Sequence, residues 1–166
     1  LRAYFDEHAN LEWKKKLEEE GVTVFLGIPN MKVHAKICVI KKQLGSRIVQ
    51  YGFIGTGNLN EKTALSYTDL FLLTSNQGIM ANLNRIFKAL ENPEKNWFQL
   101  ALCKTLLVSP VNMREAISSK INREIKMANS GKPSKIIINL NSISDDKLIT
   151  KLYQAAGAGV KIEMII

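Results

Sequence analysis

Cysteine and aromatic residues are scarce in this chain, and each shortage excludes a class of protein. Two cysteines in 166 residues, Cys38 and Cys103, are too few for a disulfide-built scaffold. They lie far apart inside apolar runs, which suits reduced core residues better than a paired metal site. Aromatics make up only 7%, and no aromatic–basic stripe offers a surface for stacking bases. No uninterrupted apolar run reaches the length that spans a bilayer, and no signal-peptide pattern is visible. The expected address is the cytoplasm, with peripheral attachment to a membrane as the alternative.

What the chain does have is a hydrophobic content of 46%, enough for a packed core, and a net charge of +8. The excess is spread along the sequence, +3 over residues 1–96 and +5 over 97–166, so it does not form a basic tail. A surplus of that size favours anionic partners such as nucleotides, polyanions, nucleic acid or acidic membrane surfaces. The chain opens on LRAYFDE and closes inside the strand-like run VKIEMII, and on these grounds it is expected to be a piece of a longer protein.

Periodicity divides the chain into alternating helices and strands. Residues 6–21 read as a helix with Asp6 and Glu7 at its positive end and Gly21 as its stop. VTVFLG (22–27) and MKVHAKICVI (31–40) read as strands. KKQLGS forms a loop, and RIVQYGFIG (47–55) reads as the second arm of a hairpin. A polar loop and a short helix follow, then a strand at 68–75 and an amphipathic helix at 77–93 ended by Pro93. After a crossing segment, LLVSP reads as a strand followed by a helix start, with Ser109 as cap and Pro110 in the first helical position. The helix at 110–129, the strand at 135–141, a helix capped by Ser144 and the strand at 160–166 complete a pattern expected to form a parallel α/β sheet. A boundary is expected near residues 93–103.

The strand at 31–40 carries an anomaly. Alternation places His34 and Lys36 on one face, about 7 Å apart, with Val33, Ala35, Ile37 and Val39 on the other. Some twenty residues later stands GTGN (55–58). A histidine offers a nucleophilic ring nitrogen near neutral pH. Lys36 supplies positive charge for phosphate oxygens, Gly55 and Gly57 let backbone N–H groups approach an anion, and Asn58 adds an amide donor. A lone His-x-Lys would be read as a half-exposed strand histidine. The whole set suits a site that holds a phosphoryl group beside an imidazole. Asn60 and Glu61 are either loop caps or groups behind this site, and Lys62 either touches phosphate or is solvated.

His-x-Lys together with Gly-Thr-Gly-Asn resembles half of a phospholipase D-type active site. That family's motif carries an aspartate five residues after the lysine, where this chain has Lys41. The longer wording, FDEHANLEWKKKLEEEGV, KVHAKICVI and IGTGNLNEKTALSYTDLFLLT, with ENP, LLVSP and LYQAAGAGVKI after it, resembles the polyphosphate kinase family. The resemblance implies an α/β fold: part of one phospholipase D-like domain over residues 1–96, and the start of a second, similar domain over 103–166. It implies transfer of phosphate between ATP or ADP and inorganic polyphosphate, with Mg²⁺, in a full-length protein that is a homo-oligomer and has no dedicated nucleic-acid partner. It makes His34 the phosphorylated residue, with Lys36 beside it, and assigns Tyr67 to ATP, with Asn58 and Gly57 at the same substrate. The family's magnesium-associated arginine falls at Tyr4, so no metal residue carries over there, and Arg2 is the available substitute. A second essential histidine would lie beyond Ile166. Two other readings stand beside this one: a phospholipase D-like phosphodiesterase or nuclease using His34, and a basic nucleic-acid-binding module. Lys41 counts against the first. Steeply salt-dependent binding, indifferent to nucleotide identity, would mark the second.

Overall fold

The structure, a computed structural model, describes residues 7–25, 27, 28 and 31–166. Arg2 and Tyr4 lie outside the described residues. The chain is mixed α/β and divides into two compact units, Leu1–Gln99 and Leu100–Ile166.

In the first unit, helix α1 spans Glu7–Glu19 and closes with hydrogen bonds from Gly21 N to Glu18 O and from Val22 N to Leu17 O. Strands β1 (Lys36–Leu44) and β2 (Arg47–Gly55) form an antiparallel hairpin, and β3 (Phe71–Thr74) adds to the far side of β2. Between β2 and β3 stands α2 (Glu61–Ala64), a single turn whose first amides, Lys62 N and Thr63 N, donate to the Asn60 side chain. Asn60 is therefore a helix cap. Helix α3 (Gln77–Glu91) follows β3 and packs on β1 and β2, burying Met80, Leu83 and Ala89. Asn84 ties it to the sheet, donating to Gln50 Oε1 at 2.6 Å and to Met80 O at 2.8 Å. The expected crossing segment is two short helices, α4 (Pro93–Asn96) and α5 (Phe98–Ala101).

In the second unit, α6 (Met113–Asn129) and α7 (Asp146–Gly157) pack together beside a parallel pair, β4 (Lys135–Asn139) and β5 (Lys161–Ile165). Ile121, Leu152, Ala155 and Val160 form its core, with Ile117, Ile125, Ile136, Ile138 and Ile162 packed against them. Both helices end as their glycines foretell. Gly131 (φ 69°) and Gly159 (φ 91°) turn the chain left-handed, and Lys132 N and Val160 N reach back to Met127 O and Ala155 O.

Several expected boundaries are corrected. Residues 22–25 pair in no ladder among the described residues, and the only bridge nearby joins Ile28 to Met31. Strand β1 begins at Lys36, not Met31, because its partner ends at Gly55, opposite Lys36. His34 therefore sits in the lead-in to the strand. At the other end β1 continues through Leu44, since the turn is only Gly45–Ser46, the short connection that suits twisted hairpins. The expected strand at LLV is irregular, and α6 starts at Met113, not Pro110. There Asn112 is engaged elsewhere: its side chain accepts from Val108 N at 2.7 Å and donates to Cys103 O at 3.0 Å, holding 103–112 as a loop. The Ser109–Pro110 peptide in that loop is cis. For α7 the cap is Asp145, not Ser144. Its carboxylate accepts from Leu148 N and pairs with Arg114 of α6, and a charged acceptor outcompetes a hydroxyl at a helix's positive end.

Candidate active site

His34, Lys36, Gly55 and Gly57 lie at one end of the three-stranded sheet. Lys36 opens β1 and pairs with Gly55, the last residue of β2, which in turn pairs with Phe71, the first of β3. His34 lies just before this row, Thr56 and Gly57 just after Gly55, and Asp69 just before Phe71. The antiparallel register alone brings these three chain segments together.

His34 and Lys36 meet even though no strand holds the histidine. The Lys36 ammonium donates to His34 O at 2.8 Å and lies 3.0 Å from Nδ1 and 3.3 Å from Nε2 of the ring. The Lys36 ammonium is pushed below the ordinary lysine pKa, first by partial burial and then by the charge of Lys32, while Asp69 pulls it back up. The site thus has a histidine and a lysine in contact, with one more cation and one anion acting on the lysine.

The loop after β2 is fastened by two residues outside the expected phosphate-holding set, Thr56 and Asp69. Thr56 N donates to Leu70 O at 3.1 Å, Leu70 N donates to Thr56 Oγ1 at 3.1 Å, and Thr56 Oγ1 donates to Asp69 Oδ1 at 3.2 Å. Gly57 is buried, and a Cβ on it would collide with the Asp69 carboxylate; at Gly55 a Cβ would collide with the Phe71 ring. These glycines make room for their neighbours as well as for an anion. Asp69 was hidden inside an expected strand at 68–75. Its signal was a lone acid heading an apolar strand, opposite a glycine-rich turn.

Asn58 is exposed beyond Gly57, and its carbonyl accepts from Asn60 N at 2.9 Å. Tyr67 lies on the turn after α2, two residues before Asp69, and is 58% exposed. Lys62 is exposed. Lys41, at the position of the phospholipase D aspartate, stands opposite Gln50, well along β1 from the Lys36 end. Among the described residues no three His, Cys, Asp or Glu side chains gather as a metal site.

Comparison with known proteins identifies the family. Residues 1–96 match the family described as polyphosphate kinase C-terminal domain 1, and residues 106–166 match polyphosphate kinase C-terminal domain 2. A polyphosphate kinase of Vibrio cholerae is 45% identical over all 166 residues, which span 23% of its length. That of Escherichia coli K12 is 40% identical, with 24% of its length spanned. The crystal structure of polyphosphate kinase from Porphyromonas gingivalis superposes with a TM-score of 0.77 at 34% identity, over 99% of this chain and 27% of that one. The chain thus spans about a quarter of the relatives it matches, and it belongs to the polyphosphate kinase family, as part of that family's C-terminal domains.

Proposed function

We propose that this chain is the histidine-bearing part of an enzyme that moves the terminal phosphate of ATP, reversibly, onto inorganic polyphosphate. The observation that carries this reading is the convergence of His34, Lys36 and the Gly55–Asn58 turn at one sheet end, where a nucleophile, a cation and a glycine-rich turn lie together. In the first half-reaction a His34 ring nitrogen attacks the γ-phosphorus. An N–P bond forms, the bond to the bridging oxygen breaks, and ADP leaves with that electron pair. In the second, a terminal oxygen of polyphosphate attacks the same phosphorus, the N–P bond breaks, and the chain grows by one unit as the imidazole is restored.

Such transfer asks mainly for alignment and charge neutralisation. Lys36 must leave the ring nitrogen for attack to occur, and the incoming phosphoryl oxygens give its ammonium a stronger acceptor than imidazole. Mg²⁺ would come in on the phosphates of the nucleotide, in keeping with the few carboxylates such sites use, and would supply charge neutralisation there. Tyr67, by its ring or its hydroxyl, would contact the nucleotide. Asn58 and the Gly57 amide would hold phosphate. A second histidine, supplied by the remainder of the full-length protein, would complete the site, and the whole protein would assemble as a homo-oligomer. Cytoplasmic placement is supported by Cys38 and Cys103, both present as thiols.

The test is to incubate the full-length protein with terminally labelled ATP. Label on the protein that is labile to acid, stable to alkali and absent from His34→Ala supports the reading. A folded His34→Ala protein that still makes polyphosphate sinks it.

A further inference from the structure

The Thr56 hydroxyl has one proton to give and gives it to Asp69, while it accepts the Leu70 amide. The half-buried Asp69 does two further things. Its second oxygen fills the space beside Gly57 where a side chain would stand, and its charge acts on the Lys36 ammonium, opposing the effect of Lys32. One carboxylate therefore touches both halves of the phosphoryl site: the loop by contact and the lysine by charge. An aspartate facing a phosphate would repel it. Here one oxygen is held by Thr56 and the other lies against Gly57, so the carboxylate braces the turn that would carry the anion.

We propose that Thr56 and Asp69 are positioning residues for phosphoryl transfer: the pair holds the Gly55–Asn58 turn against the head of β3, beside Lys36 and His34, in the place a phosphoryl group on His34 would need. This rests on the kinase reading above. Neither residue touches a reacting atom.

The test uses full-length Thr56→Val, Thr56→Ser, Asp69→Asn and His34→Ala proteins, with the rate of labelling by ATP and the pH profile of turnover as readouts. Thr56→Val should slow labelling about tenfold to a hundredfold, the scale of a small misplacement, and Thr56→Ser should restore most of it. Asp69→Asn should slow labelling and move the alkaline limb of the profile to lower pH. Among the described residues, the charged and titratable groups acting on Lys36 are His34, Lys32 and Asp69, and this change removes the one that raises its pKa. Thr56→Val should leave that limb in place. Wild-type labelling by Thr56→Val, or a valine defect that serine does not relieve, overturns the proposal, as does an unmoved limb in a folded Asp69→Asn protein. If Asp69→Asn does not fold, the valine–serine comparison decides. Label retained by His34→Ala would instead strike the kinase reading, and this proposal with it.

Discussion

Lys36 stands directly opposite Gly55 in the β1–β2 register, and that single pairing joins two motifs that lie about twenty residues apart in the sequence. It makes the lysine the last rung of the ladder on one strand and the start of the glycine turn its counterpart on the other.

Lys36→Ala should lower turnover about 10²- to 10³-fold, the cost of removing one well-placed donor from a developing anion. Lys36→Arg should recover only part of this, since a planar fork fills the space differently. The two also separate by pH. The ammonium, held below the ordinary lysine value by burial and Lys32, loses its proton as pH rises, so wild-type turnover should fall on the alkaline side earlier than a free lysine would dictate. The arginine protein should lack that fall. Turnover profiles of the three proteins check both points, and an unaltered Lys36→Ala rate would show that the lysine merely solvates the strand.

Gly57→Ala should disturb the loop because the new methyl and the Asp69 carboxylate claim the same space. Turnover should drop while the thermal midpoint changes little, the strain being confined to an end of the sheet. Shortening the opposing side chain should relieve the clash, so Gly57→Ala combined with Asp69→Ala should cost less than the two single effects added. Strict additivity in labelling rate would show that the two groups do not compete.

Tyr67→Phe and Tyr67→Ala distinguish a hydroxyl contact from a stacked ring. Equal losses in ATP affinity point to the hydroxyl, and a loss only in the alanine protein points to the ring. If neither alters affinity or turnover, the exposed ring has no part in nucleotide binding.

In the second unit Asp145 is held below the usual carboxylate range, first by its hydrogen bond from Arg114 and then by the Leu148 amide. A depressed folded pKa means that the stabilisation is present above the unfolded carboxylate value and fades as pH falls through the folded one. Asp145→Asn keeps a capping acceptor but loses the charge. Its unfolding midpoint should lie below wild type near neutral pH, and the gap should close in acid. A gap that is constant across that range would remove the charge from the explanation.

Local rules sufficed for much of this chain. The apolar spacing of α3, the glycines that end α6 and α7, the two strands flanking Gly45–Ser46 and the His-x-Lys and GTGN motifs are all legible, because each depends on residues within a few positions of one another. The sequence by itself also marked His34 as out of place on an apolar run. Only the tertiary structure decided where strand pairing stops, which moved His34 off the ladder and laid Lys36 across its ring. It alone joined Thr56 to Asp69, 13 residues on, and Arg114 to Asp145, 31 residues on, and it made Asn112 the tie of a loop where a helix capped by Ser109 was expected. A side chain's preference for a helix, strand or turn is set by its own backbone and nearest neighbours. Which charged or hydroxyl group it meets across the fold is set by ladder register and helix packing, and no short stretch of sequence encodes those.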